Sequence, residues 1–239
     1  MKQYQYTNNY YQEKYMSKIM GPNPIMLCEE LMTNCPTPKT SRVCDLGSGQ
    51  GLTSLMLAKD FGFCVYACDL WSDPEENRKF FRSEGITDEQ IVSVKADATD
   101  LPFEKEFFDA IVCVDSYNYF GRDKTYLDEK LLPYVTRGGY LYLAIPGMTA
   151  DLHDDLPPEL LLSWTAEQLD YMQDIKYWTD IFQAAKGAKI LEISTMDCTE
   201  KAWQDWLSQE NEYAVSDRKS MQAGAGEYLN TLKIVLQKI

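Results

Sequence analysis

The chain has 239 residues, 45% of them hydrophobic and 25% charged, the balance of a soluble globular protein with enough material for a large core. Its formal charge is −14, from 23 basic and 37 acidic side chains. Such a surface repels phosphate backbones and no basic patch offsets it, so nucleic acid is not an expected partner. No apolar run approaches the roughly 18 residues of a membrane span. The polar, tyrosine-rich start MKQYQYTNNYYQEKY lacks the apolar stretch of a signal peptide, so a cytoplasmic location and no membrane association are expected. Seven cysteines form no CxxC pair, and Cys44, Cys64, Cys68 and Cys113 lie in apolar runs. They read as reduced thiols acting as small hydrophobes; with a single histidine in the chain, no metal site is expected.

In chain order, residues 1–20 carry Tyr4, Tyr6, Tyr10, Tyr11 and Tyr15 and read as helical. Gly21-Pro22-Asn23-Pro24 breaks that run, and a short helix from Ile25 to Thr33 stops before Pro36 and Pro38. From Arg42 the pattern alternates. Val43 to Leu46, Cys64 to Leu70, Ile91 to Ala96, Phe108 to Val114 and Tyr140 to Ile145 read as strands. Leu52 to Phe61, Pro74 to Ser83 and Lys124 to Tyr134 between them read as helices. Short apolar runs bounded by turn residues and separated by helices predict a doubly wound, mostly parallel sheet covered on both faces, an α/β architecture. Beyond it, residues 147–165 with HDDLPPE read as an insertion over the sheet. Tyr171 to Ala185 is predicted helical, Ile190 to Met196 a strand, Trp203 to Asn211 helical and Tyr228 to Gln237 a final strand. The expected organisation is one domain over 1–239. It comprises a helical N-terminal extension or lid over 1–38, a ligand-binding core over 40–146, an insertion and helix over 147–185, and C-terminal strands over 186–239.

The informative segment is Val43-Cys44-Asp45-Leu46-Gly47-Ser48-Gly49-Gln50-Gly51. It follows a strand and opens a helix. Its glycines permit a sharp turn and let a ligand approach main-chain atoms, and the helix start adds N–H donors. Three further acids end successive strands: Asp69, about twenty residues past the turn, then Asp97 and Asp115. Doubly wound folds place a ribose-binding carboxylate where Asp69 stands, and ligands at the carboxyl edge of the sheet. Asp97 is placed to address an adenine amino group. A dinucleotide turn reads G-x-G-x-x-G with a pyrophosphate at the helix start, whereas this one is G-x-G-x-G with Asp45 before it. A carboxylate there repels a pyrophosphate and attracts an ammonium or sulfonium. The charges favour a cationic nucleoside without phosphate. The structural alternatives stay open: Asp45 as an anchor of the turn, Asp69 as a cap, Asp97 as a turn aspartate, Asp115 as a surface residue, and Trp71 as a cover for the sheet edge.

The run from Asp45 to Gly51, together with Asp69 and Asp97, resembles the S-adenosylmethionine-binding core of class I methyltransferases. Ala96-Asp97-Ala98-Thr99-Asp100-Leu101-Pro102-Phe103 and Phe107-Phe108-Asp109-Ala110-Ile111 resemble their small-molecule branch, the ubiquinone/menaquinone-biosynthesis-type and cyclopropane-fatty-acid-synthase-like enzymes. The resemblance covers residues 40 to about 146 well and the remainder loosely. It implies a seven-stranded, Rossmann-like sheet whose last strand is antiparallel and reached through a hairpin. It also implies S-adenosylmethionine as cofactor, with S-adenosylhomocysteine as product, and a small-molecule acceptor. Asp45, Gly47, Ser48, Gly49 and Gly51 would hold the methionine part. Asp69 would take the ribose hydroxyls with Leu70 and Trp71 beside it, Asp97 and Ala98 the adenine, and the carbonyl side of Asp115 the methionine ammonium.

Methyl transfer is an in-line displacement from an already activated sulfonium, so alignment and exclusion of water matter more than a fixed set of catalytic residues. The aromatic run Ser116-Tyr117-Asn118-Tyr119, after the fourth strand, is a candidate substrate wall through Ser116, Tyr117 and Tyr119; packing of the sheet edge is its structural alternative. Tyr11 and Tyr15 are the lid candidates, or else dock the extension onto the body. His153, the chain's one imidazole, is the candidate general base. A homodimer is the assembly to consider. Two rival readings stand beside methyl transfer: a nucleotide-dependent oxidoreductase on a related fold, and a non-catalytic S-adenosylmethionine-binding protein.

Overall fold

A computed structural model describes residues 4–239; the first three residues of the predicted N-terminal helix lie outside it. The expected helix over 1–20 is two short pieces, a 3₁₀ turn at Thr7–Tyr10 and α1 at Glu13–Met16. α2 follows at Pro24–Leu31, started by Pro24 and capped by Asn23, whose side chain accepts from Ile25 N and Met26 N. Proline suits that first helical position because its missing N–H has no partner there anyway.

The core then alternates: β1 Arg42–Leu46, α3 Leu52–Lys59, β2 Cys64–Asp69, α4 Pro74–Ser83, β3 Ile91–Lys95, β4 Phe108–Val114 and β5 Val135–Met148. The connection from β4 to β5 is predicted helical from residue 124. It is a wide π turn at Leu127–Leu131 followed by a 3₁₀ turn holding Pro133, since proline cannot continue a regular helix. After β5 come α5 Ala166–Leu169, α6 Ile175–Ala184, β6 Ala188–Thr195, α7 Thr199–Leu207, α8 Glu212–Gln222 and β7 Leu229–Lys238. No described helix is long and apolar enough to cross a membrane.

The seven described strands form one sheet in the order β3-β2-β1-β4-β5-β7-β6. β1 to β5 pair in parallel, and β7 runs antiparallel to both neighbours. The last strand is therefore antiparallel, as expected. It is not reached through a tight hairpin, because α7 and α8 stand between β6 and β7. α8 falls in a stretch with little apolar periodicity, and its N-cap Asn211 accepting from Ala214 N was the available signal.

Alternate residues of each strand feed two cores. Val43, Ala67, Val112 and Ala144 face α2 and α3, while Cys44, Cys68, Ile111, Cys113 and Leu143 face α6. Near-continuous burial along β4 follows from this two-sided cover. Strand order reverses between β1 and β4, and that switch opens the crevice in which the site lies.

Candidate functional site

β1 ends at Leu46 and α3 begins at Leu52, so residues 47–51 make the turn. Gly47, Gly49 and Gly51 all have positive φ, at 77, 53 and 84°, a region that side-chain-bearing residues disfavour. A Cβ on Gly47 would also collide with Ser116 Oγ, and one on Gly51 would lie 2.5 Å from the Phe81 ring. The turn is pinned from outside. Gly47 N donates to the Cys68 carbonyl at 2.8 Å, Gly49 N donates to Asp69 Oδ2 at 2.9 Å, and Asn77 Nδ2 donates to the Gly49 carbonyl at 2.8 Å.

The carboxyl ends of β1 to β4 open onto a cavity of about 410 Å³, within the roughly 300–1,000 Å³ of small-molecule sites. Gly47, Ser48 and Gly49 form one wall, with the Ser48 hydroxyl buried and lacking a partner among the described residues. Asp69, Leu70 and Trp71 form the next, and Trp71 stands 80% exposed at the rim. Asp69 is already held by three backbone donors: Gly49 N on Oδ2, and Trp71 N at 2.8 Å and Ser72 N at 2.7 Å on Oδ1. Asp97 and Ala98 close that side. The Thr99 backbone N–H and hydroxyl, each 2.8 Å from Asp97 Oδ1, hold the Asp97 carboxyl below its ordinary range, and the Tyr126 hydroxyl donates to the Ala98 carbonyl at 2.8 Å.

The β4 end differs. Asp115 lines the cavity with φ 58°, a left-handed backbone on a residue other than glycine. Its N–H donates to the Ala144 carbonyl at 2.9 Å, while its carboxylate accepts no hydrogen bond from the described residues. Burial pushes the carboxyl up to about 7. Ser116 and Tyr119 also line the cavity; Ser116 Oγ donates to the Leu46 carbonyl at 3.1 Å, and Tyr119 packs on Tyr171. The roof is Lys18, Met20, Gly21, Pro22 and Pro24. It is the chain-breaking segment, tied down where Asn23 N donates to the Ala202 carbonyl and Asn23 Nδ2 to Asp205 Oδ2.

The structure thus brings Gly47, Ser48, Gly49, Asp69, Leu70, Trp71, Asp97, Ala98, Asp115, Ser116 and Tyr119 around one space. Asp45 stands behind it. Its Oδ2 accepts from Thr53 Oγ1 at 2.6 Å and Ser54 Oγ at 2.5 Å, bracing the first turn of α3, and its Oδ1 is buried without a partner among the described residues. Burial pushes this carboxyl up to about 6 against the pull of the two hydroxyls. Gly51 likewise serves the turn from behind, against Phe81.

Four further residues expected at the site do not line the cavity. His153 is occupied on both ring nitrogens, Nδ1 by Asp151 at 2.8 Å and Nε2 near the Leu169 carbonyl at 3.3 Å. Tyr117 is fully buried against Trp178 and Phe182. Tyr11 and Tyr15 donate to Asp205 at 2.7 Å and Glu84 at 2.5 Å. With Tyr4 on Glu30 and Tyr10 on Asp60 they fasten the extension to the body by phenol–carboxylate bonds. Sequence reasoning missed Asn77, whose signal was an amide on the same helical stripe as the buried Phe80 and Phe81. The roof lies within the 1–38 segment expected as an extension or lid, but at Lys18 to Pro24 and not at the tyrosines named for it; in sequence the breaker marks only a boundary.

A model described as a methyltransferase domain matches residues 43–138, the stretch that carries every acid of the cavity. A search of curated proteins gives no significant match. Among solved structures the chain is similar to a proposed sarcosine dimethylglycine methyltransferase from Galdieria sulphuraria, with 17% identity, 89% of this chain and 83% of that one covered, and a TM-score of 0.68. It is similar to geranyl diphosphate C-methyltransferase from Streptomyces coelicolor A3(2), solved with S-adenosyl-L-homocysteine, at 15% identity, 89% and 77% coverage and TM-score 0.69. It is also similar to phosphoethanolamine N-methyltransferase 2 from Haemonchus contortus, solved with S-adenosyl-L-methionine, at 17% identity, 95% and 57% coverage and TM-score 0.71.

Proposed function

We propose that this chain, whose residues 43–138 match a methyltransferase domain model, is an S-adenosylmethionine-dependent enzyme that methylates a small organic acceptor inside the cavity at the β1–β4 switch. The observation that carries this reading is the wall itself: a glycine turn, three strand-end carboxylates and a buried Ser48 hydroxyl without a partner among the described residues, around one cofactor-sized space. These groups suit a cationic nucleoside. The lining offers carboxylates and exposed main chain, and among its residues only Lys18 is basic, so a pyrophosphate would meet repulsion.

In this reading Asp69, oriented by its three backbone donors, accepts from the ribose hydroxyls through its remaining lone pairs. Asp97 and the main chain of Ala98 hold the adenine, and Leu70 and Trp71 cover its rim. The Gly47–Gly49 main chain and Ser48 hold the methionine part, with Asp45 keeping the turn and α3 in register. When bound, the cofactor supplies an activated methyl group for in-line displacement. The chain supplies position and dryness: the Lys18–Pro24 roof and Tyr119 enclose the end where the acceptor enters. The neighbours methylate or bind small molecules such as geranyl diphosphate, and the −14 charge of this chain opposes a nucleic-acid acceptor.

Calorimetric titration with S-adenosylmethionine and with NADH tests the reading. Micromolar binding of the first without the second supports it. Absence of S-adenosylmethionine binding at millimolar concentration sinks it.

A further inference from the structure

The two ends of the cavity hold their carboxylates differently. Asp69 and Asp97 have backbone donors, whereas the Asp115 carboxylate has none among the described residues and projects from a left-handed backbone. Side chains other than glycine hold that conformation at some cost, and such residues cluster where a site demands them. A second feature points at the same group. A Cβ placed on Gly21 of the roof would come within 2.6 Å of Asp115 Oδ2, so the roof backbone closes directly over this carboxylate, and a side chain at position 21 would have to displace it. The chain therefore brings its extension down onto an anionic group without giving it a partner.

The surroundings decide what would complete it. Lys18, the basic residue of the lining, sits over the Phe80 ring at 4.5 Å and makes no ion pair with Asp115. Cys113 and Tyr119 are the titratable groups facing Asp115, and burial pushes each up to about 12, so both are neutral there. The unmet requirement is a cationic hydrogen-bond donor. The nucleoside reading assigns the β2–β3 side to ribose and adenine, which leaves the β4 side to the reacting end.

Resting on the methyltransferase reading above, we propose that Asp115 is the acceptor-side catalytic residue, receiving the ammonium group of a small amine and taking its proton. In the first step an N–H bond of the ammonium breaks and its proton passes to an Asp115 oxygen, leaving a neutral amine beside a neutral acid. In the second, the freed nitrogen pair forms the N–CH₃ bond while the CH₃–S bond breaks with its pair left on sulfur. The products are a methylated ammonium and a thioether. A carboxyl titrating near 7 is poised for that exchange at neutral pH.

The test compares wild type with Asp115→Asn, which keeps shape and suits positive φ. Cofactor and S-adenosylhomocysteine binding are measured by calorimetry. Turnover is measured over a panel of primary and secondary amines, phenols, thiols and carboxylic acids, and the carboxyl of the unloaded protein is titrated by carbon-13 NMR. The proposal expects amine turnover, with kcat/KM rising through a midpoint near pH 7 that matches a resonance lost in the variant. In Asp115→Asn, kcat should fall at least a hundredfold while cofactor Kd stays within threefold. A tenfold rise in cofactor Kd would assign the carboxylate to the cofactor's own ammonium and overturn the proposal. Turnover restricted to phenols, thiols or acids, or cofactor binding without turnover of any amine, overturns it while leaving the methyltransferase reading in place. Loss of cofactor binding by the wild type fails that underlying reading instead.

Discussion

Asp69 and Asp115 end neighbouring parts of the same sheet edge, yet their surroundings are opposite. Asp69 is held by three backbone N–H groups, one of them from the glycine turn. The Asp115 carboxylate has none among the described residues, sits on a backbone at φ 58°, and is pushed up to about 7 by burial. One end of the cavity is built before any ligand arrives. The other keeps a carboxylate without a hydrogen-bond partner among the described residues, the feature on which the proposed acceptor role rests.

The largest effect should come from breaking the built end. Gly47→Ala meets both a positive φ and the Ser116 hydroxyl, so a loss of about 2–5 kcal/mol of stability is expected. Urea unfolding measures it, and an unchanged midpoint would show that the turn yields. Next, Asp69→Ala removes charge-assisted bonds worth about 1.5–3 kcal/mol. Calorimetry should find cofactor binding ten- to hundredfold weaker, and an unchanged Kd would separate Asp69 from the ribose. Tyr10→Phe removes a phenol donated to Asp60 at 2.5 Å and should cost about 1.5–2 kcal/mol in a urea titration, with cofactor Kd unaltered.

The Asp115 end should behave in the reverse sense. Its folded carboxyl titrates near 7, above the ordinary 3.8. Between those values the folded chain keeps a proton that the unfolded chain has lost, so stability falls as pH rises through the window. Asp115→Asn removes that loss. Its stability advantage over wild type should grow by about 2–3 kcal/mol from pH 5 to pH 8, read as a gain of about 5–10 °C in Tm. A pH-independent difference would show that burial of this charge costs nothing. Smallest of all, His153→Ala should change kcat less than about threefold. Both ring nitrogens are engaged outside the cavity, and a larger drop, by the usual 10²-fold or more of a lost proton-transfer group, would restore it as a base.

Much of the fold was legible because its signals are local. Val43 to Leu46 and Phe108 to Val114 are apolar runs of strand length, and Pro74 to Ser83 opens with an Asp73–Pro74 cap, features that neighbours in sequence decide. The glycine turn was legible for the same reason: positive φ at Gly47, Gly49 and Gly51 is a demand of a few consecutive residues. The tyrosines were not. Tyr15 near the cavity and Tyr15 on Glu84 are the same sequence, separated only by a partner 69 positions away.

From sequence alone came the alternation of strands and helices, the turn, and the acids ending β2, β3 and β4, since periodicity and backbone permissiveness act within a few residues. Only the tertiary structure decided which acids face the cavity, which tyrosines are anchors, that Gly21–Pro24 is the roof, and that among the described residues Asp115 alone of the cavity's carboxylates lacks a partner. The reason is physical: satisfaction of a buried polar group depends on donors brought together through space, and chain order does not encode their distance.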